Sequence, residues 1–150
     1  MTFNLNELAS EGANDLVETL PNKLKNSIHG IGTDIASVER MKLAIDRSGK
    51  AFLDRVFSKV EQQYANDSEI PFQRFAACWA MKEAAVKALG TGFRYNISFQ
   101  DLELIKNEHG QPSINARGKF RELMDEKELT QCFVSISHDA SYAIATVLIL

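Results

Sequence analysis

Long apolar runs are missing from this sequence. None approaches the roughly 20 residues of a membrane helix, and the closing stretch Tyr142 to Leu150 is long enough for a strand only. No basic region followed by an apolar segment opens the chain, so no secretory signal and no membrane association are expected. Cysteine is scarce: Cys78 and Cys132 lie more than fifty residues apart, without metal-ligand spacing, which suits two free thiols in a reducing cytoplasm. Excess positive charge is lacking too, and a net charge of −3 argues against broad nucleic-acid binding. There is no P-loop, no GxSxG elbow, and His29-Gly-Ile-Gly is no dinucleotide fingerprint. What is present, 45% hydrophobic and 25% charged residues over 150, fits one globular domain with a core.

The order of patterns points to an α+β fold. Residues 1–27 look separate, with an apolar helical pattern (Leu5, Leu8, Leu16, Leu20) that Gly12 weakens and Pro21 ends. His29 to Ile35 reads as a short strand ending near Asp34, with Gly30 and Gly32 permitting close backbone approach. Ser37 caps a helix through about Asp46, Gly49 offers a break, and Ser58 with Glu61 has capping-box spacing. Ser68 and Pro71 suit the start of a long central helix that Gly90 terminates. Along it Phe72, Phe75, Trp79 and Val86 recur at helical spacing, and Lys82 is expected to reach out from the edge of that stripe. Further on, the pattern predicts a strand over Ile97–Ile105, a turn at His109-Gly110, a helix over Ala116–Glu128, and an antiparallel hairpin of Cys132–Ile136 with Tyr142–Leu150.

Several side chains invite chemistry, each with an ordinary reading beside it. Asp34 suits a hard divalent ion such as Mg²⁺, yet a carboxylate near a strand end is more often a turn or helix-start residue. Glu83 and Lys87 share a helix face, and spacing alone slightly favours a surface ion pair over a metal ligand and a phosphate donor. Gly90-Thr91-Gly92 can bring backbone donors to an anion or simply reverse the chain. Ser137, His138 and Asp139 form no triad by adjacency; residue type favours a turn role over a phosphate contact. Residues 40–59 hold six cations, including Arg40, Arg47 and Lys50, against two carboxylates, which suits an acidic partner or a solvated helix face.

Three segments, GIGTDIASVERM at 30–41, MKEAAVKALGTG at 81–92 and VSISHDASYAIATV at 134–147, with FLDRVFSKVE at 52–61, resemble the holo-acyl-carrier-protein synthase family of small 4′-phosphopantetheinyl transferases. The resemblance covers about residues 28–150 and leaves 1–27 as an extension. It implies an antiparallel sheet packed against the long central helix, and transfer of 4′-phosphopantetheine from coenzyme A to a serine of apo acyl carrier protein in fatty acid biosynthesis. It further implies Asp34 and Glu83 as Mg²⁺ ligands, Lys87 near the transferred phosphate, and Gly90 and Gly92 beside the coenzyme. Ser137, His138 and Asp139 would come from a neighbouring subunit of a homotrimer, and Arg40, Arg47 and Lys50 would meet the carrier. At Cys78 many family sequences have arginine, so the resemblance implies that a nucleotide phosphate contact is either weakened here or taken over by another residue. Two other functions compete: a non-catalytic carrier-binding module and a metal-dependent nucleotide pyrophosphate hydrolase.

Overall fold

The computed structural model describes residues 28–150, so the expected helix over 4–20 lies outside the described residues. Strand β1 (Gly30–Ser37) is followed by helices α1 (Val38–Val56), α2 (Lys59–Asn66) and α3 (Pro71–Leu89). A 3₁₀ turn at Phe99–Asp101 leads into the hairpin β2 (Leu102–Lys106) and β3 (Pro112–Ala116). Helix α4 (Gly118–Glu126) and the hairpin β4 (Cys132–His138) with β5 (Tyr142–Ile149) complete the chain. Strands β1, β5 and β4 form one antiparallel sheet in that order, and β2–β3 is a separate ribbon. The α+β expectation holds.

The centre of the molecule is α3. A helix that is apolar or alanine-rich on nearly every side leaves only a narrow edge for water, and Phe75, Ala76, Ala80, Met81, Ala84 and Ala85 are all buried. The sheet lies against it through the small residues Gly30, Gly32, Ala36, Ala143 and Ala145. Glycine is obligatory at position 32: a Cβ there would sit 2.7 Å from Ala88 N and 2.9 Å from Lys87 Cβ, and collide with the carbonyl oxygen of Ala84. Gly30 meets the carbonyl of Ala88 in the same way. Close approach is therefore what these two glycines provide, and its object is α3.

Several boundaries differ from the sequence reading. Strand β1 runs on to Ser37, so Asp34 sits in mid-strand opposite Ala145 and not at a strand end. Ser37 does cap α1, accepting from Arg40 N at 3.2 Å, but the helix continues to Val56 across a non-helical Gly49 (φ 53°, ψ −137°). Ser68 caps nothing on α3: its hydroxyl donates to Ala65 O and closes α2, while α3 starts on Pro71 after an uncapped Ile70. Ser98 opens a 3₁₀ capping box, which delays β2 to Leu102. Residues 112–116, read as no element from the sequence, form β3 and take Ala116 from the expected helix.

Lys82 is the largest surprise. It does not reach outward; it is fully buried, donating to Val56 O (2.8 Å), Phe99 O (2.8 Å) and Leu102 O (2.7 Å), with Glu61 Oε2 at 2.8 Å. Glu61, also fully buried, accepts from Ser58 N and Leu104 N as well, so the expected capping box doubles as the anchor of a buried ion pair. Both charges are saturated with partners, the condition under which such a pair is tolerated in an interior. Among the described residues no helix is long and apolar enough to cross a membrane.

Candidate active site

Asp34 leaves β1 on the face that meets α3. Because Gly32 lets the strand close on Ala84 and Ala88, a carboxylate two residues later stands beside the exposed edge of the helix. There Lys87 Nζ donates to Asp34 Oδ1 at 2.8 Å and to Thr33 O at 3.0 Å. Glu83 lies one turn before Lys87, half-buried on the same edge. Burial, and after it the Asp34 charge, hold the Glu83 carboxyl above its ordinary value of 4.5, with Lys87 opposing. Asp34, Glu83 and Lys87, over fifty residues apart at the extremes, thus converge on one spot. The simple Glu83–Lys87 surface pair is not formed; the lysine is held by Asp34 instead.

Two carboxylates near enough to repel one another, one of them partly desolvated, form a site that favours a cation. The donor set is all oxygen, and among the described residues no group of three or more metal-ligating side chains occurs. An all-oxygen pair of carboxylates is the kind of donor set a hard divalent ion takes together with waters.

The glycine turn caps α3. Gly90 (φ 85°) and Gly92 (φ 59°) adopt left-handed backbone, and the amides of Gly90, Thr91 and Gly92 donate to Lys87 O and Val86 O. In this structure those donors serve the helix end. The turn also leaves open space, with nothing within 4 Å of a Cβ built at Gly90 or Gly92. Thr91 Oγ1 is buried there without a hydrogen-bond partner.

Ser137, His138 and Asp139 do not join this group. His138 Nδ1 contacts Gln73 Oε1 at 2.9 Å, in the first turn of α3. Gln73 precedes Glu83 by ten positions, or about 15 Å of helix. Asp139 forms the turn: its Oδ1 accepts from Ser141 N (2.7 Å) and Tyr142 N (2.8 Å), bonds that hold its carboxyl below the usual range. Ser137 is exposed on the outer face of the sheet.

Arg40 and Arg47 are exposed on α1. Lys50 is less free, because Asp54 pairs with it and also takes Lys59 at 3.1 Å. Beside Arg40 opens a pocket of about 220 Å³ whose apolar wall includes Ile35, Met41, Ala44, Phe52 and Trp79. The sequence reading missed this pocket. Phe52 and Trp79 counted only as apolar positions, and nothing in their spacing shows that α1 bends to bring the rings together (6.3 Å between centroids). Gln73 was missed too, since its only signal is its contact with a residue 65 positions away. Cys78 is fully buried, and desolvation, then Glu61, pushes its thiol far up. Position 78 therefore faces the core beside the Glu61–Lys82 pair and not the edge that carries Lys87.

The description "4'-phosphopantetheinyl transferase superfamily" belongs to the family model that matches residues 30–147. A holo-[acyl-carrier-protein] synthase of Vibrio atlanticus is 40% identical over 127 residues, covering 82% of this chain and 98% of the relative. The crystal structure of the Neisseria meningitidis holo-[acyl-carrier-protein] synthase matches with a TM-score of 0.77 at 28% identity, over 83% of this chain and 99% of that one. The Helicobacter pylori holo-[acyl-carrier-protein] synthase, solved in complex with coenzyme A, matches with a TM-score of 0.71 at 35% identity, over 80% and 99%. With almost the whole described chain matched in both sequence and fold, the protein belongs to the 4′-phosphopantetheinyl transferase superfamily and is an enzyme of its holo-acyl-carrier-protein synthase type.

Proposed function

We propose that this chain transfers 4′-phosphopantetheine from coenzyme A to a serine hydroxyl of apo acyl carrier protein, releasing adenosine 3′,5′-bisphosphate. The observation that carries the reading at residue level is the convergence of Asp34, Glu83 and Lys87 on one exposed edge of α3. In the reaction the serine oxygen bonds to the pantetheine-side phosphorus while the anhydride P–O bond breaks. The leaving phosphate carries the electron pair away, and the serine proton goes to Glu83 or to a water.

Asp34 and Glu83 would hold Mg²⁺, which when bound supplies charge neutralisation on the diphosphate. Lys87 already stands with its ammonium between Thr33 and Asp34, and donates to a phosphate oxygen when the diphosphate arrives. The open space at Gly90 and Gly92 admits the coenzyme beside it. Positioning matters as much as activation here, because a neutral serine is a poor nucleophile.

The protein works as a homotrimer with sites between subunits. Two observations support this. The outer face of the sheet is an exposed band in register, Ile31–Leu148–Phe133 and Ile35–Ile144–Ser137 across the three strands, with Ile31 65% and Ile35 60% exposed. A face of that kind calls for cover. And His138 contacts Gln73, about 15 Å of helix from the Glu83 of its own chain, which favours a part for it in a neighbour's site. The acidic carrier meets Arg40 and Arg47, with the adjoining apolar pocket as the contact surface.

Incubation of the purified chain with coenzyme A, Mg²⁺ and apo carrier tests the proposal, read as a phosphopantetheine mass increase on the carrier serine. Failure across several competent carriers overturns it. Cleavage of coenzyme A without any carrier present would instead mark a hydrolase.

A further inference from the structure

We infer that Gly49 is a positioning residue for carrier recognition, a fixed elbow that aims Phe52 into the pocket beside Arg40. The inference rests on the docking face proposed above. Helix α1 is two helices joined at one residue, whose φ of 53° and ψ of −137° belong to a region open in practice only to glycine. Nothing lies within 4 Å of a Cβ built there, so sterics with other elements do not demand glycine; the backbone angle alone does.

The two halves are held differently. The first half starts from β1, where Ser37 caps it, and presents Arg40, Met41 and Ala44. The second half is tied from behind: Gln100 Nε2 donates to Asp54 O (2.8 Å) and Phe57 O (2.9 Å), and Gln62 Nε2 to Asp54 Oδ1 (3.1 Å). That half carries Phe52, which stacks on Trp79 of α3. The pocket therefore has one wall from each half, and the angle at Gly49 sets the distance between them. A continuous helix would carry the second half off its ties, or carry Phe52 off Trp79. A carrier helix that must meet Arg40 by charge and the pocket by apolar contact needs both walls at one angle.

The test uses a double-mutant cycle. Gly49→Ala is expected to raise the KM for apo carrier about tenfold, the size of effect one strained backbone residue brings. The KM for coenzyme A should stay within about twofold, well below that factor. Phe52→Ala alone should raise the carrier KM as well, and adding Gly49→Ala to it should change little more, because an elbow that acts through Phe52 has nothing left to aim. Trp79 is the only tryptophan of the chain, so its emission reports the pocket without labelling, and Gly49→Ala should shift it. If the alanine variant folds poorly, Gly49→Asn replaces it in the same cycle, because asparagine tolerates left-handed helical backbone but is barred from a ψ of −137° at positive φ as alanine is, so the same loss is expected. A normal carrier KM in a folded Gly49 variant, equal losses for both substrates, or full additivity with Phe52→Ala overturns the inference. A wild-type chain that modifies no carrier overturns the docking reading and the elbow with it. Transfer by wild type together with a normal Gly49 variant overturns the elbow alone.

Discussion

Replacing Gly32 by alanine should be far more harmful than its one added methyl suggests. The new Cβ would fall 2.7 Å from Ala88 N and 2.9 Å from Lys87 Cβ, and closer still to the Ala84 carbonyl. Two of these three neighbours are backbone atoms of α3, whose residues are mostly buried, so none can swing aside as a side-chain tip does. The strand must lift instead. Overpacking of this kind costs about 3 kcal/mol, the upper part of its usual range, which for a chain of this size lowers Tm by about 6–12 °C. Gly90→Ala makes the contrast: it meets nothing within 4 Å, and its φ of 85° is the only difficulty, so the loss should be about 1–2 kcal/mol. Thermal unfolding followed by circular dichroism separates the two. A lifted strand also carries Asp34 away from Glu83, and misplacement by about 1 Å costs roughly a hundredfold in rate. Transfer should therefore fall steeply in Gly32→Ala at temperatures where it is folded. A Tm within about 2 °C of wild type, less than 1 kcal/mol by the same scale, would refute the account of β1 against α3.

Other perturbations test other parts. Lys82→Met removes one partner of a fully buried pair and strands Glu61, which should cost about 3–5 kcal/mol in denaturant unfolding; Glu61→Gln with Lys82→Met should recover part of that. Glu83→Gln should abolish transfer yet raise the stability of the unliganded protein slightly at neutral pH. Burial and then Asp34 raise the folded pKa of Glu83 above 4.5, so the folded state binds the proton more tightly, and stability is lost as pH rises from 4.5 through the folded value. That part of the pH slope should vanish in the glutamine variant, and equal slopes in the two proteins would contradict it. Arg40→Ala should raise the carrier KM and flatten its dependence on salt while sparing coenzyme A, measured by steady-state kinetics at several ionic strengths.

How much of this was legible beforehand depended on whether the signal was local. The capping box of Ser58 and Glu61, the stop at Gly90, the break at Gly49 and the β4–β5 hairpin are all written within a few residues, and each appears in the structure. Asp34, Glu83 and Lys87 were singled out through their motifs, and they do come together. Lys82 was misjudged because helical spacing fixes direction and not depth; its partners come from α1, α2 and the Phe99–Leu102 segment, none of which spacing within α3 reveals. Ser68 was misjudged because a serine before a helix is equally suited to closing the one before it. The pocket at Arg40 needs a bend whose angle no pattern encodes, only the glycine that allows it.

Helix α3 is enclosed by the sheet, by α1 and α2, and by β2. Its central amides should exchange with deuterium only when the entire domain opens, making them the slowest clock in the molecule. Glu83 and Lys87 ride on that slow element, whereas Arg40 and Phe52 ride on a jointed peripheral one. On the proposed reading the reacting groups are thus mounted on the frame and recognition on a limb set at one angle, so changes at Arg40 or Phe52 should retune carrier choice without disturbing the frame.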